Sequence, residues 1–431
     1  MTGSRGVFTL VAVLVAALAL VGGLQARPDA GPYAAAGVVR VGEEPTARTL
    51  FRFERTALSR MLDKALAVPH VRRASTGALA IDVRTGTVLY ALHPDRALVP
   101  ASNEKLPTTY AALKQLGPSY RFRTQVLGTG EQDGAVWNGN LFLRGGGDPT
   151  LHVLQLQRLA AQLREAGIRR VTGRVLADES FFDAKRVGPG WKPSFYMDES
   201  PPLSALVVDR AMVDGRMSED PAGTAAARFT NLLEARGIEV VGRSGWGTAP
   251  EDAFALAQVE SQPLADILRF MDRQSDNFIA EQVLKTLGAE VRGKGTTGAG
   301  AAVVVDTLKE AGVPLANVRI ADGSGLSRLD RLTPRAIASI LLAAWGDDEL
   351  RPIVWDAMPV SGRIGTLKRR LDSRPALGAV HAKTGTTALS SALSGFVRRR
   401  YVFVVVQNGH PISSYWARAA QDRFAAALAA R

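Results

Sequence analysis

No cysteine occurs anywhere in the chain. That excludes disulfides, a thiolate nucleophile and any cysteine-ligated metal site. Only five histidines are present, and none belongs to an H-E-x-x-H pair, so zinc-dependent hydrolysis has no support. The G-x-S-x-G serine elbow is missing too: "GRSGW" and "DGSGL" both have the wrong spacing. Helix-turn-helix, zinc-finger and RNA-binding signatures are absent, as is any repeat of fixed period. No metal, cofactor or nucleic-acid partner is therefore expected.

What is there is an ordinary globular composition, 46% hydrophobic and 22% charged over 431 residues, ample for two domains. The excess of Lys and Arg, a net charge of +12, favours anionic partners such as a membrane surface or a cell wall. Solvated basic faces are the blander source of the same excess. The apolar run "VFTLVAVLVAALALVGGLQA" follows a short N-terminal stretch carrying Arg5. Residues 1–26 read as an export signal, cleaved near Gly23 or Ala26 or retained as an anchor. Either way the protein is expected outside the cytoplasm, in the periplasm or cell-wall space. Residues 27–50, rich in Ala, Gly and Pro, read as a tether.

Folding is expected from Phe51. "FRFERTALSRMLDKALA" has helical spacing, and "GALAIDV", "RTG" and "VLYALH" read as strand, turn, strand. From Thr124 the texture changes to short alternations. "NGNLFLRGGGDPT" is a strand with a glycine-rich turn. "LQRLAAQLREAGIRRVTGRVLAD" and "RFTNLLEARGIEVVGR" repeat the order helix, Gly, strand. Long helices return with "SQPLADILRFMDRQSDNFIAEQVLKTLG". Thr333 suits an N-cap before Pro334. "ALSSALSGFV-RRR-YVFVVVQNG" reads as a hairpin and "SSYWARAAQDRFAAALAA" as a closing helix. The reading is an α/β domain from residues 51–124 and 258–431, interrupted by an inserted α/β domain at 125–257.

Chemistry is sought in lysine-assisted serine groups. In "ASNEKL", Ser102 and Lys105 stand three apart before a helix-like segment, so Oγ and amine share one face. A serine hydroxyl needs a neighbouring base. A lysine serves only if desolvation or a second positive charge favours its neutral form. Alone, the pair is equally an exposed, capped helix start. "SDN" from Ser275 to Asn277 lies between helical segments, and "KTGT" from Lys383 to Thr386 opens a strand-like run. Separately these are a helix cap and a charged turn. His381, two residues before Lys383, shares its strand face and is a weaker candidate.

The order S-x-x-K, S-x-N, K-T-G is that of penicillin-binding proteins and serine β-lactamases. On that reading Ser102 is the nucleophile and Lys105 its base. Lys383 attracts a substrate carboxylate and depresses the Lys105 pKa. Ser275 relays a proton to the leaving amine. Asn277 positions the substrate amide and holds the lysine. The N–H groups of Ser102 and Thr386 form the oxyanion hole. The hydroxyls of Thr384 and Thr386 bind the carboxylate, and Gly385 permits close approach.

Together with "GGDPTL" (Gly146–Leu151), "DGSGLSR" (Asp322–Arg328), "LTPR", "PVSGRIGTLKRR", "HAKTGT" and "LSGFV", these motifs resemble one family from about Phe51 to the C-terminus. It is the D-alanyl-D-alanine carboxypeptidase/endopeptidases of the penicillin-binding-protein-4 type, low-molecular-mass class C, peptidase family S13. The resemblance implies a transpeptidase-like fold, an antiparallel sheet flanked by helices with a helical subdomain. It implies acylation of Ser102 by peptidoglycan stem peptides and by β-lactams. It also implies contact of Asp148 and Arg328 with the substrate's diaminopimelate side chain. Family members carry two nested insertions between the first two motifs; here the innermost domain is missing or reduced to a loop. A β-lactamase or esterase on the same scaffold, or a non-catalytic wall-binding protein, are the alternatives. Class A β-lactamases have a shorter gap between those motifs.

Overall fold

The computed structural model describes residues 56–431. The expected export signal, the tether and the expected start at Phe51 lie outside the described residues.

A five-stranded antiparallel sheet runs in the order Val380–Thr386, Ser390–Val397, Tyr401–Asn408, Thr76–Asp82, Val88–Leu92. Both hairpins read from the sequence are present, and Arg398–Arg400 make the second turn. They join through a long-range pairing, with Leu79 opposite Val404. Successive strand side chains point to opposite faces. Val402, Val404 and Val406 therefore enter one core, and Tyr401, Phe403 and Val405 the other. The first core takes Leu113, Leu268, Leu284, Val304, Leu341 and Val354 from six helices. The second takes Leu62 from Ala57–Leu66, and Phe424 and Leu428 from Ser414–Ala429. Fully burying a side chain such as Phe403 contributes roughly 1.5–3 kcal/mol. Thr333 caps the Pro334–Gly346 helix by accepting from the Ala336 N–H at 3.0 Å.

Between Arg123 and Glu260 the chain builds a second five-stranded sheet and a smaller four-stranded one. Two helices, Val153–Glu165 and Pro221–Ala235, pack Leu159 and Phe229 into a separate core with Leu143. Both helices stop at glycines with positive φ, Gly167 and Gly237, where a Cβ would be strained. The first and last strands of the larger sheet, Arg123–Gly128 and Phe254–Glu260, pair with each other. The chain thus leaves and rejoins the first sheet's helices at adjacent points. A segment free of sheet, residues 183–211, runs from this unit back toward the first one. Trp191 Nε1 there donates to Asp322 at 2.8 Å. Among the described residues no helix is long and apolar enough to cross a membrane.

Candidate active site

Ser102 and Lys105 do not share a single α-helix. Ala101–Glu104 is a 3-10 turn that hands over to the Lys105–Gln115 α-helix. In a 3-10 turn residues i and i+3 eclipse, and Lys105 Nζ lies 3.2 Å from Ser102 Oγ. Ala101 takes φ 48°, which a non-glycine residue holds only when its surroundings enforce it. Gly325 presses on it from the facing loop: a Cβ on Gly325 would stand 1.9 Å from the Ala101 carbonyl oxygen.

Lys105 is fully buried and has two further partners, Asn277 Oδ1 at 2.8 Å and the Ser324 carbonyl at 2.7 Å. Neither of those oxygens can donate. A neutral amine has two N–H groups, and directing them at these acceptors aims its lone pair at the Ser102 hydroxyl. Ser324 escaped the sequence reading, because a backbone carbonyl has no residue signature. Its motif, Asp322–Arg328, was visible. Asp322 folds that loop by accepting from the N–H groups of Gly325 and Ser327, both at 2.7 Å, from Ser324 Oγ and from Trp191.

"SDN" forms a break between two helices. Ser275, at φ 59°, ends Leu264–Gln274 in the left-handed region. Asp276 caps the next helix by accepting from the Ile279 N–H at 2.9 Å. Because Asp276 is the cap, Asn277 is free to hold Lys105 and to donate from Nδ2 to the Glu199 carbonyl at 3.1 Å. Lys383, also fully buried, donates to Ser275 Oγ at 2.8 Å. "KTGT" ends its strand instead of opening one. Asn103 Nδ2 ties the strand to the serine turn by donating to the Lys383 carbonyl at 3.1 Å.

Burial lowers Lys105 to about 8, against the attraction of Asp322, Asp276, Asp272 and Glu281. Burial also lowers Lys383 to about 7, and the Lys105 charge lowers it further while Asp272 opposes. The sequence reading gave Lys383 the task of depressing Lys105. The structure makes burial the first cause for both amines, with their repulsion falling on Lys383.

A cleft of about 660 Å³ opens over these groups. Ser102, Ser275 and Asn277 line its floor, and Thr384, Gly385 and Thr386 one wall. That wall is an edge strand: among the described residues no strand lies beyond Val380–Thr386 in its sheet. A Cβ on Gly385 would meet the Ser102 nitrogen and the Pro100 carbonyl oxygen, each at 3.0 Å, so the strand backbone passes close to the serine amide. Thr384 Oγ1 bonds Thr366 Oγ1 at 2.7 Å, and Arg418 donates to Thr386 Oγ1 at 3.3 Å. Thr366, inside the quoted "PVSGRIGTLKRR", also lines the cleft, as do Arg418, Lys192 and Phe195, which have no motif of their own and were missed in the sequence.

Arg328 borders a small adjoining recess with Lys192 and Phe195. Asp148 lines neither space. Its buried carboxylate closes its own turn, accepting from the Thr150 N–H at 2.8 Å and the Thr150 hydroxyl at 2.6 Å. His381 lies outside the cleft, stacked 3.8 Å from the Trp355 ring.

A family model described as "D-Ala-D-Ala carboxypeptidase 3 (S13) family" matches residues 58–219 and 214–431. A protein of Mycolicibacterium smegmatis named carboxypeptidase DacB is 33% identical, over 98% of this chain and 95% of its own. A D-alanyl-D-alanine carboxypeptidase of Actinomadura sp. strain R39 is 31% identical, over 87% of this chain and 85% of its own. The crystal structure of penicillin binding protein 4 (dacB) from Haemophilus influenzae superposes with a TM-score of 0.76. It is 25% identical and covers 86% of this chain and 98% of that one.

Proposed function

The chain belongs to the D-Ala-D-Ala carboxypeptidase 3 (S13) family, and from that premise we propose that it is a serine D-Ala-D-Ala carboxypeptidase working through an acyl-enzyme on Ser102. One observation carries the reading: Lys105 Nζ faces Ser102 Oγ at 3.2 Å while Lys383 holds Ser275 Oγ at 2.8 Å. Ser102 and Ser275 line one cleft, and each has a buried amine behind it.

Neutral Lys105 takes the Ser102 proton as Oγ attacks the carbonyl carbon of the penultimate D-Ala. The N–H groups of Ser102 and Thr386 receive the developing oxyanion. Ser275, held by Lys383, passes a proton to the departing D-Ala amine. Water then attacks the ester and restores Ser102. The substrate's terminal carboxylate meets Arg418 and the Thr384 and Thr386 hydroxyls, which line the cleft, while buried Lys383 adds its charge from behind Ser275. Asn277 positions the peptide amide and Gly385 lets it approach. Arg328, at the adjoining recess, meets the charged end of the stem-peptide side chain. Residues 125–257 act as an inserted domain whose returning segment supplies Lys192 and Phe195 to the cleft. The substrate is peptidoglycan, reached outside the cytoplasm after export directed by residues 1–26. β-Lactams acylate the same serine.

Purified protein incubated with a fluorescent penicillin is expected to be labelled stably, with the adduct on the peptide containing Ser102 by mass spectrometry. Ser102→Ala is expected to lose the label while remaining folded. Rapid turnover of the drug would assign a β-lactamase instead. Label elsewhere, or none on a folded native protein, removes the acyl-enzyme reading. Release of D-alanine from a diacetyl-lysyl-D-Ala-D-Ala peptide reports carboxypeptidase action, and cleavage of cross-linked muropeptides reports endopeptidase action.

A further inference from the structure

Asp272 is completely buried on the last turn of the Leu264–Gln274 helix. A buried carboxylate is costly unless something holds it. Here one oxygen accepts from Thr109 Oγ1 at 2.8 Å, and the other, Oδ1, has no hydrogen-bond partner. Its placement is specific. Thr109 stands one turn after Lys105 on the same helix face. Ser275, which receives the Lys383 amine, stands three residues after Asp272. The carboxyl is thereby tethered between the two segments that carry the cationic pair.

We propose that Asp272 is a positioning residue for the reaction: the buried counter-charge that sets how many protons Lys105 and Lys383 share. Asp272 attracts both amines, whereas Asp322, Asp276 and Glu281 attract Lys105; without Asp272 the Lys383 amine loses the carboxylate that opposes the Lys105 charge. This rests on the reading of Ser102 and the two lysines given above.

The electrostatics agree with that placement. Burial pushes Asp272 up to about 6, while Lys383, the Thr109 hydrogen bond and Lys105 pull it down. Elements packed around its helix carry other charged groups. Glu104 lies on the serine turn, and Asp276 and Glu281 on the following helix. Asp356 of the Leu350–Ala357 helix is engaged on the exposed side by Arg269 and Arg273. Arg363 and Lys368 flank the Gly365–Leu367 turn. The charged groups that pull on the Asp272 carboxyl are Lys383 and Lys105.

The test is the pH dependence of Ser102 acylation by a fluorescent penicillin, from about pH 5 to about pH 10, in native protein, Asp272→Asn and Thr109→Val. An anion beside a lysine raises its pKa, so removing the anion lowers it. The rising limb of the Asp272→Asn profile is expected to move acidward by about one pH unit. Thr109→Val weakens the hold on the ionised carboxyl and is expected to move the limb the same way by less. It also serves if Asp272→Asn does not fold. A profile that superimposes on the native one, or a uniform rate loss with an unmoved limb, overturns the proposal. Failure of the native protein to be labelled at Ser102 indicts the acyl-enzyme reading instead, so the two failures are distinguishable.

Discussion

Lys105 Nζ donates to Asn277 Oδ1 at 2.8 Å, across 172 residues of sequence. This contact fixes one of the two N–H directions that turn the lysine lone pair toward Ser102. Asn277→Ala removes the acceptor and leaves a buried amine short of a partner. Leaving a buried donor without its partner costs roughly 1–3 kcal/mol, so acylation is expected to fall about 10- to 100-fold. Asn277→Asp keeps the acceptor but adds a negative charge that raises the lysine pKa. Its acylation is expected to begin at higher pH than in the native protein. Rates of penicillin labelling against pH distinguish the two effects.

Both amines sit below the ordinary lysine range, Lys383 at about 7 and Lys105 at about 8, with burial as the first cause. The proposed reaction needs the neutral form on Lys105 and the ammonium on Lys383, the reverse of the order of these two values, so the bound substrate carboxylate has to draw the shared proton to Lys383. Acylation is therefore expected to rise as pH passes through about 7 and to fall once both protons are gone. The two limbs belong to the pair and not to either lysine. A rate constant that stays level from about pH 5 to about pH 8 is incompatible with a lysine base.

Gly325, at φ 83°, lies against the strained residue that precedes Ser102. Gly325→Ala puts a methyl 1.9 Å from the Ala101 carbonyl oxygen and so displaces backbone, not a movable side chain. Acylation and thermal stability are both expected to drop. Gly298→Ala is the matched control, in a helix with open space around the added methyl. It is expected to be neutral or to gain up to about 1 kcal/mol. Equal unfolding temperatures for the two variants would contradict the packing described for the serine turn.

Much of this architecture is legible in the residues because its signals are local. The hairpins show in apolar runs bounded by turns, the Pro334 helix in its Thr333 cap, and the three site motifs in their order. The missing part is of two kinds. Some determinants are backbone groups, such as the Ser324 carbonyl on Lys105, which any residue supplies. Others arise from long-range closure, such as the pairing of Thr76–Asp82 with Tyr401–Asn408 or the approach of Lys192 and Phe195 on the sheet-free segment that returns from the inserted unit. Asp148 carries a second, local signal. "Asp-Pro-Thr" is a local turn signature in which the Asp oxygen serves the residue two positions on, and that role uses the carboxylate where it stands. The 3-10 handover at Lys105 is likewise invisible to a periodicity that cannot separate three residues per turn from 3.6.

Glu281 offers a stability test. Its Oε1 accepts from the N–H groups of Gly323 and Ser324 at 3.0 and 2.9 Å, which anchors the loop bearing the Ser324 carbonyl. Oε2 is buried without a partner. Burial first, and the neighbouring Asp322 next, push the folded-state pKa from 4.5 to about 8. A raised value means that the folded protein holds a proton which the unfolded chain has released. The corresponding stability is complete below about 4.5, shrinks as pH rises, and is gone once pH passes about 8. Through that window the slope is at most about 1.4 kcal/mol per pH unit. Glu281→Gln keeps an acceptor for the two amides and never ionises. Its stability relative to the native protein is therefore expected to increase steadily from about pH 5 to about pH 8. Denaturant unfolding of both proteins across that range measures the difference. Parallel curves would mean that Glu281 is already ionised in the folded state, with its charge held by groups other than those described.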